Sequence, residues 1–199
     1  MNMIDKAIEN SMSYTEYREL IDRLRANNKT TGDNHSEDML NYTDLNIARM
    51  NKWDKRFVLD ADVQTLLKNI EKKETWIVLT EAWCGDAAHS VPVMSKMADA
   101  SENIDLHLVL RDENLELMDK YLTNGGRSIP KLIRLDAETG EELSTWGPRP
   151  KESQDLFTRM KKEGFEKADI NKDLQLWYAR NSGKAIEQEL AQMLSYQLT

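Results

Sequence analysis

The one cysteine of the chain stands in Trp83-Cys84-Gly85-Asp86. It follows the apolar run Trp76-Ile77-Val78-Leu79 and precedes a helical pattern, so the thiol is expected at the first turn of a helix. Free N–H groups and the positive end of the helix dipole meet at such a turn and stabilise a thiolate. Helix N-termini can lower a cysteine pKa from about 8.5 to anywhere in about 3.5–7.5. Gly85 leaves little bulk beside the sulfur, so a disulfide partner has room to approach. Asp86 works the other way, because a full negative charge faces a helix end that supplies only about half a positive one. The two effects are expected nearly to cancel. A buried, inert small hydrophobe is the plain reading of a single cysteine and stands beside the reactive one. One cysteine cannot form an internal disulfide, and with three scattered histidines it cannot build a zinc site. No metal and no cofactor is expected, and any redox chemistry is monothiol chemistry.

Ser128-Ile129-Pro130-Lys131-Leu132 places a proline at the entrance of a strand. Taken alone, it is an edge or first-residue proline. His89 falls about 500° round the helix from Cys84 and so lies off the thiol's face. His107 sits in an alternating strand and reads as a packing or half-exposed residue. Gly125-Gly126-Arg127 has the residue types of a phosphate loop, but a flexible turn feeding the proline is the simpler account. Trp177 and Tyr178 read as packing of a C-terminal helix on the core.

The elements that must position these residues follow from the pattern. Ser13-Tyr14-Thr15-Glu16 is a capping box ahead of the stripe Tyr14, Tyr17, Leu20, Ile21 and Leu24. A polar loop with Gly32 follows, then a helix over roughly 36–52 carrying Met39, Tyr42, Leu45 and Met50. Asp60 or Asp62 caps a helix with Val63, Leu66, Leu67 and Ile70. From there helix and strand alternate. The continuous apolar run at 76–79 predicts a strand covered on both faces. Strands are expected at Ile104–Leu110, Lys131–Leu135 and Glu141–Trp146, the last two joined by the hairpin turn Ala137-Glu138-Thr139-Gly140. Helices are expected after Cys84, around Leu115–Leu122, over 151–163, and over 170–198 with a break at Asn181-Ser182-Gly183. That order implies a sheet between layers of helix.

The chain has 199 residues, 40% of them apolar, which is enough for one core. Mean hydropathy is -0.68, and no stretch approaches the roughly 20 apolar residues of a membrane span. The first residues lack the apolar segment of a signal peptide. A soluble, cytoplasmic protein is therefore expected. With 27 Lys and Arg against 35 Asp and Glu the net charge is -8, which repels phosphate backbones. Nucleic acid and membrane are not expected partners.

Several motifs, taken together and in order, resemble the thioredoxin superfamily. The Trp83-Cys84-Gly85 turn follows an apolar strand, and Pro92 stands eight residues after Cys84, where thioredoxins carry a helix-kinking proline. Ile129-Pro130 matches the family's signature before a cis-proline, and Trp146-Gly147 follows the terminal hairpin where the family keeps a glycine. Arg111-Asp112-Glu113-Asn114, Asn124–Lys131 and Trp146-Gly147-Pro148-Arg149-Pro150 resemble a bacterial subgroup of thioredoxin family proteins with helical extensions at both ends. Thr30-Thr31-Gly32, Tyr42-Thr43-x-Leu45-Asn46 and Leu176-Trp177-Tyr178 extend the likeness over nearly the whole chain. It implies an α/β fold, a thioredoxin-like three-layer α/β/α sandwich over residues 59–165. An N-terminal helical extension over 1–58 and a C-terminal one over 166–199 would flank it.

The resemblance also implies roles and exposes departures. In thioredoxins one Cys attacks a substrate disulfide and a second, three residues on, resolves the product. Cys84 matches the first, but Ala87 stands at the second. A mixed disulfide on Cys84 would wait for an external thiol. Val78 stands where thioredoxins bury an Asp, and Leu106-His107-Leu108-Val109 offers no Lys partner. Trp83, Gly85, Ile129, Pro130 and Gly147 match positions that line the family's groove, with Asp86 beside them. Two functions result. One is a monothiol redox protein in which Cys84 forms mixed disulfides with a protein or low-molecular-weight thiol partner. The other is a non-catalytic adaptor that holds a protein at the Trp83/Pro130 groove and tolerates Cys84→Ser.

Overall fold

The computed structural model describes residues 2–195. The capping box at Ser13 forms as expected. The Ser13 hydroxyl accepts from the Glu16 N–H at 3.3 Å, and the Glu16 carboxylate accepts from the Ser13 N–H at 2.8 Å. This starts α2 (Tyr14–Ala26), which buries Tyr17 and Ile21. Ser13→Ala should lower stability by about 1 kcal/mol, read as a shift of the denaturant midpoint. The first residues, which carry no strong helical signature, also form a helix, α1 (Met3–Glu9), capped by Asn2.

Helix α3 (Glu37–Arg56) runs past its expected end because Trp53, one turn further on, is itself buried. Its apolar stripe differs from the expected one. Thr43, Asn46, Met50 and Trp53 form the buried face, whereas Tyr42 and Leu45 are exposed. Asp60 rather than Asp62 caps α4 (Ala61–Lys68), accepting from the Asp62 N–H at 2.9 Å.

The alternating region folds as β1 (Glu74–Thr80), α5 (Gly85–Asp99), β2 (Ile104–Leu110), α6 (Leu115–Met118), β3 (Lys131–Asp136), β4 (Glu142–Trp146) and α7 (Lys151–Lys162). The sheet order is β2-β1-β3-β4. β2 runs parallel to β1, and β3 and β4 are antiparallel to their neighbours. Helix α8 (Lys167–Asn181) and α9 (Lys184–Ser195) follow, broken at Ser182 and Gly183 in the left-handed region.

β1 is buried along both faces, as its unbroken apolar run requires. Ile77 and Leu79 face one layer, where Ala7 of α1 and Leu117 and Met118 of α6 cover them. Trp76 and Val78 face the other, with α5, α9 and the N-terminal helices. The result is a three-layer α/β/α sandwich. Tyr17, Ile21, Met50, Trp53, Phe57, Ile186 and Leu190 share one apolar cluster with the sheet, so both terminal regions are built into the core. Within that layer Arg134 of β3 makes two hydrogen bonds to Glu74 of β1, at 2.7 and 2.9 Å, with both side chains almost fully buried. Among the described residues no helix is long and apolar enough to cross a membrane.

Candidate functional site

The segment from Glu81 to Cys84 leaves the sheet before α5 begins, so its peptide groups have no strand partner and need others. The N-terminal region supplies them. Thr31 Oγ1 accepts from the Ala82 N–H at 2.9 Å, and Asn46 Nδ2 donates to the Ala82 carbonyl at 2.8 Å. The Cys84 N–H donates to the Glu81 carbonyl at 3.1 Å, closing a turn that leaves Cys84 as the N-cap of α5. Trp83 is partly buried against the α1/α6 layer, with the Arg111 guanidinium 4.8 Å over its ring.

Across from the helix start, the Cys84 thiol donates to the Ile129 carbonyl at 3.2 Å. The Ile129–Pro130 peptide is cis, as is Gly147–Pro148. Ile129 and Pro130 are both buried behind the sulfur. Gly147 has φ +111° and faces the Pro130 carbonyl so closely that any Cβ would strike it. Glycine is therefore required there by backbone packing.

Burial sets the thiol's acidity. It pushes the Cys84 pKa up to about 12, and the Asp86 carboxylate raises it further, while the Ala87 and Asp86 N–H groups and Arg149 pull it down. The bond to the Ile129 carbonyl likewise favours the protonated form. The expected near-cancellation of helix dipole and Asp86 is thus corrected: desolvation outweighs both. Asp86 is itself held. Arg149 Nε and Nη2 donate to its Oδ2, the former at 3.1 Å, and the Tyr178 hydroxyl donates to Oδ1 at 2.8 Å. Tyr178 therefore does more than pack α8 on the core.

Glu81 is fully buried. Its Oε1 accepts from the Asp112 N–H at 2.9 Å, while Oε2 has no hydrogen-bond partner. Desolvation raises its pKa to about 7, with hydrogen bonds from Thr31 and Asp112 opposing. Val78, by contrast, is packed in the apolar layer. His89 is also buried, and desolvation lowers its pKa to about 4. Trp53 Nε1 donates to its Nδ1 at 2.9 Å. Because an indole nitrogen can only donate, His89 carries its proton on Nε2, which donates to Gln175 Oε1 at 2.7 Å. His107 is half-exposed and bonds Ser11 and Asp105. Arg127 is taken by Asp119 in a two-point ion pair, and Asn124 and Gly125 turn with positive φ.

Cys84, Gly85, Asp86 and Trp83 line a cleft of about 520 Å³ whose walls come from α3 and α8. Met39, Tyr42, Leu45 and Arg49 come from α3 and Lys167, Lys172 and Gln175 from α8. Ile129, Pro130 and Gly147 lie outside this lining. Arg49, Glu81, Arg149 and Gln175 are site residues that sequence reasoning missed. A run of residues matching the resembled subgroup at 146–150 and at 176–178 was the one available hint, and it pointed at Arg149 and Tyr178 without saying what they touch. Among the described residues no group of three His, Cys, Asp or Glu side chains is placed to hold a metal.

The family model Thioredoxin_9, described as Thioredoxin, matches residues 32–161. No curated protein matches at a significant level. A crystal structure of a protein of unknown function, PA1234 from Pseudomonas aeruginosa, is similar over 99% of each chain at 14% identity, with a TM-score of 0.66. An HIV 4E10 epitope scaffold is similar over 96% of each chain at 15% identity, with a TM-score of 0.61. These likenesses speak to the fold. The family model spans the sheet, the cysteine turn and the proline strand together, and on that ground the chain belongs to this thioredoxin family.

Proposed function

We propose that the protein is a monothiol of thioredoxin fold whose Cys84 forms mixed disulfides with a protein or low-molecular-weight thiol partner. One observation carries the reading: the single thiol sits at the N-cap of α5, beside the Ile129 carbonyl, and opens onto a cleft. In the exchange, Cys84 loses its proton to solvent and attacks one sulfur of the partner's disulfide. That S–S bond breaks, a Cys84–S–S–R bond forms, and the departing RS⁻ takes up a proton. With Ala87 in place of a resolving cysteine, an external thiol then releases Cys84 and leaves as the new mixed disulfide. A single unpaired thiol suits a reducing compartment, in keeping with a cytoplasmic location.

The raised thiol favours a second reading, an adaptor that binds its partner at Trp83 and Pro130 without chemistry. Burial keeps this thiol largely protonated at neutral pH. The test is adduct formation with hydroxyethyl disulfide, followed by intact mass. The monothiol reading expects one adduct on Cys84, removable by added thiol. Its rate should still be rising about tenfold per pH unit at pH 10, where an ordinary thiol has levelled off near 8.5. Absence of any adduct, with Cys84→Ser protein holding the same partner as the parent, would leave the adaptor.

A further inference from the structure

The side chains above Cys84 are an unusual set for a chain of net charge -8. Arg49, Lys167 and Lys172 line the cleft, and none of them makes an ion pair within 4.0 Å among the described residues. The cleft's one carboxylate, Asp86, is already paired with Arg149 and bonded by Tyr178. Three cations therefore line the thiol's cleft without a close ion pair, Arg49 feeling Asp86 only through space.

Gln175 adds a neutral donor aimed at the same place. Its orientation follows from the Trp53–His89 pair: His89 Nε2 carries the proton, so Gln175 must present Oε1 to it and turn Nε2 away. A methyl group placed on Gly85 would lie 3.1 Å from that Nε2 and 3.5 Å from Arg49 Nη1. Both groups thus converge on the one residue beside the thiol that has no side chain. Gln175 Nε2 has no hydrogen-bond partner among the described residues, and Arg49 makes one hydrogen bond, from Nη1 to Asn46 Oδ1 at 2.6 Å. Met39, Tyr42 and Leu45 add apolar lining to the cleft. The volume, about 520 Å³, is that of a small-molecule site.

The geometry points to a low-molecular-weight disulfide bearing carboxylates as the substrate, its carboxylates on Arg49, Lys167, Lys172 and the Gln175 amide and its S–S bond over Cys84. This rests on the monothiol reading and names the substrate class of the same site. The reaction is the exchange given above: Cys84 takes one half of the disulfide and the other half leaves as a carboxylate-bearing thiol. Gln175 and Arg49 are positioning residues in this scheme.

The test uses the full chain and three disulfides of similar length: dithiodipropionate (anionic), hydroxyethyl disulfide (neutral) and cystamine (cationic). Rates of Cys84 adduct formation are read by mass spectrometry. The anionic disulfide should react about tenfold or more faster than the cationic one, against the protein's overall charge, with the gap narrowing in about 0.5 M salt. The exposed charge reversals Lys167→Glu and Lys172→Glu, made together, should shrink or invert the ratio of anionic to cationic rates. Equal rates for all three disulfides, unmoved by the reversals, overturn this inference and leave the monothiol reading standing. If no disulfide forms an adduct, the monothiol reading falls. Calorimetry of dithiodipropionate with Cys84→Ser protein then decides the recognition alone: binding that weakens in the double reversal supports it, and no binding overturns it.

Discussion

Asp86→Asn is expected to speed alkylation of Cys84 at neutral pH by about tenfold or more while lowering stability by about 3 kcal/mol. Both effects come from one ion pair. Asp86 is the second cause, after burial, of the raised thiol pKa. Its neutral amide removes that repulsion and leaves the Arg149 guanidinium, a cation that already favours the thiolate, without its counter-charge. A positive charge within several ångströms lowers an acid's pKa by about 1–3. Stability moves the other way because Asp86 and Arg149 are each only 12% exposed, and breaking such a pair strands a desolvated charge. Iodoacetamide kinetics across pH and a denaturant melt check the two halves separately. A slower or unchanged alkylation rate with intact folding would show that Asp86 does not act on the sulfur.

Glu81→Gln is expected to leave stability unchanged near pH 4 and to raise it by about 3 kcal/mol at pH 9. The Glu81 pKa rises from 4.5 to about 7 on folding, so the folded chain holds this proton more tightly than the unfolded one. The stability this confers is fully present below about pH 4.5 and is lost as pH climbs through about 7. Above that the folded protein carries a buried carboxylate whose Oε2 has no partner. A glutamine keeps the oxygen that accepts from the Asp112 N–H and never ionises. Melting temperatures of parent and variant between pH 4 and pH 9 give the result directly. Parallel curves would mean that Glu81 does not titrate in this window.

These two residues lie on either side of Cys84, Glu81 just after β1 and Asp86 in the first turn of α5, and they show the two ways a thioredoxin-fold site can be rebuilt. The position that thioredoxins fill with a buried Asp is the apolar Val78 here, and a buried carboxylate stands instead at Glu81, next to the turn. Its contacts run to Thr31 and Asp112. The terminal regions replace solvent around the cysteine: Asn46 and Thr31 satisfy Ala82, Tyr178 holds Asp86, and Gln175 reaches Gly85. The desolvation that raises the thiol pKa follows from that packing.

The sequence by itself determined the order of elements after the first helix, the buried central strand, the capped helices from Ser13 onward and the place of Cys84 at a helix start. Each of those depends on neighbours within a few positions: the apolar run at 76–79, the Ser13–Glu16 box, the break at Ser182-Gly183. The tertiary structure alone decided what the thiol experiences. Arg49, Arg149 and Gln175 are separated from Cys84 by dozens of residues, and nothing in their local spacing distinguishes them from ordinary surface side chains. The stripe Met39, Tyr42 and Leu45 illustrates the limit, since its helical period is real but it faces a cleft instead of the core. Periodicity reports which residues share a face of a helix. What that face meets, and hence how much water and charge surround a group, depends on chain segments that only folding brings together.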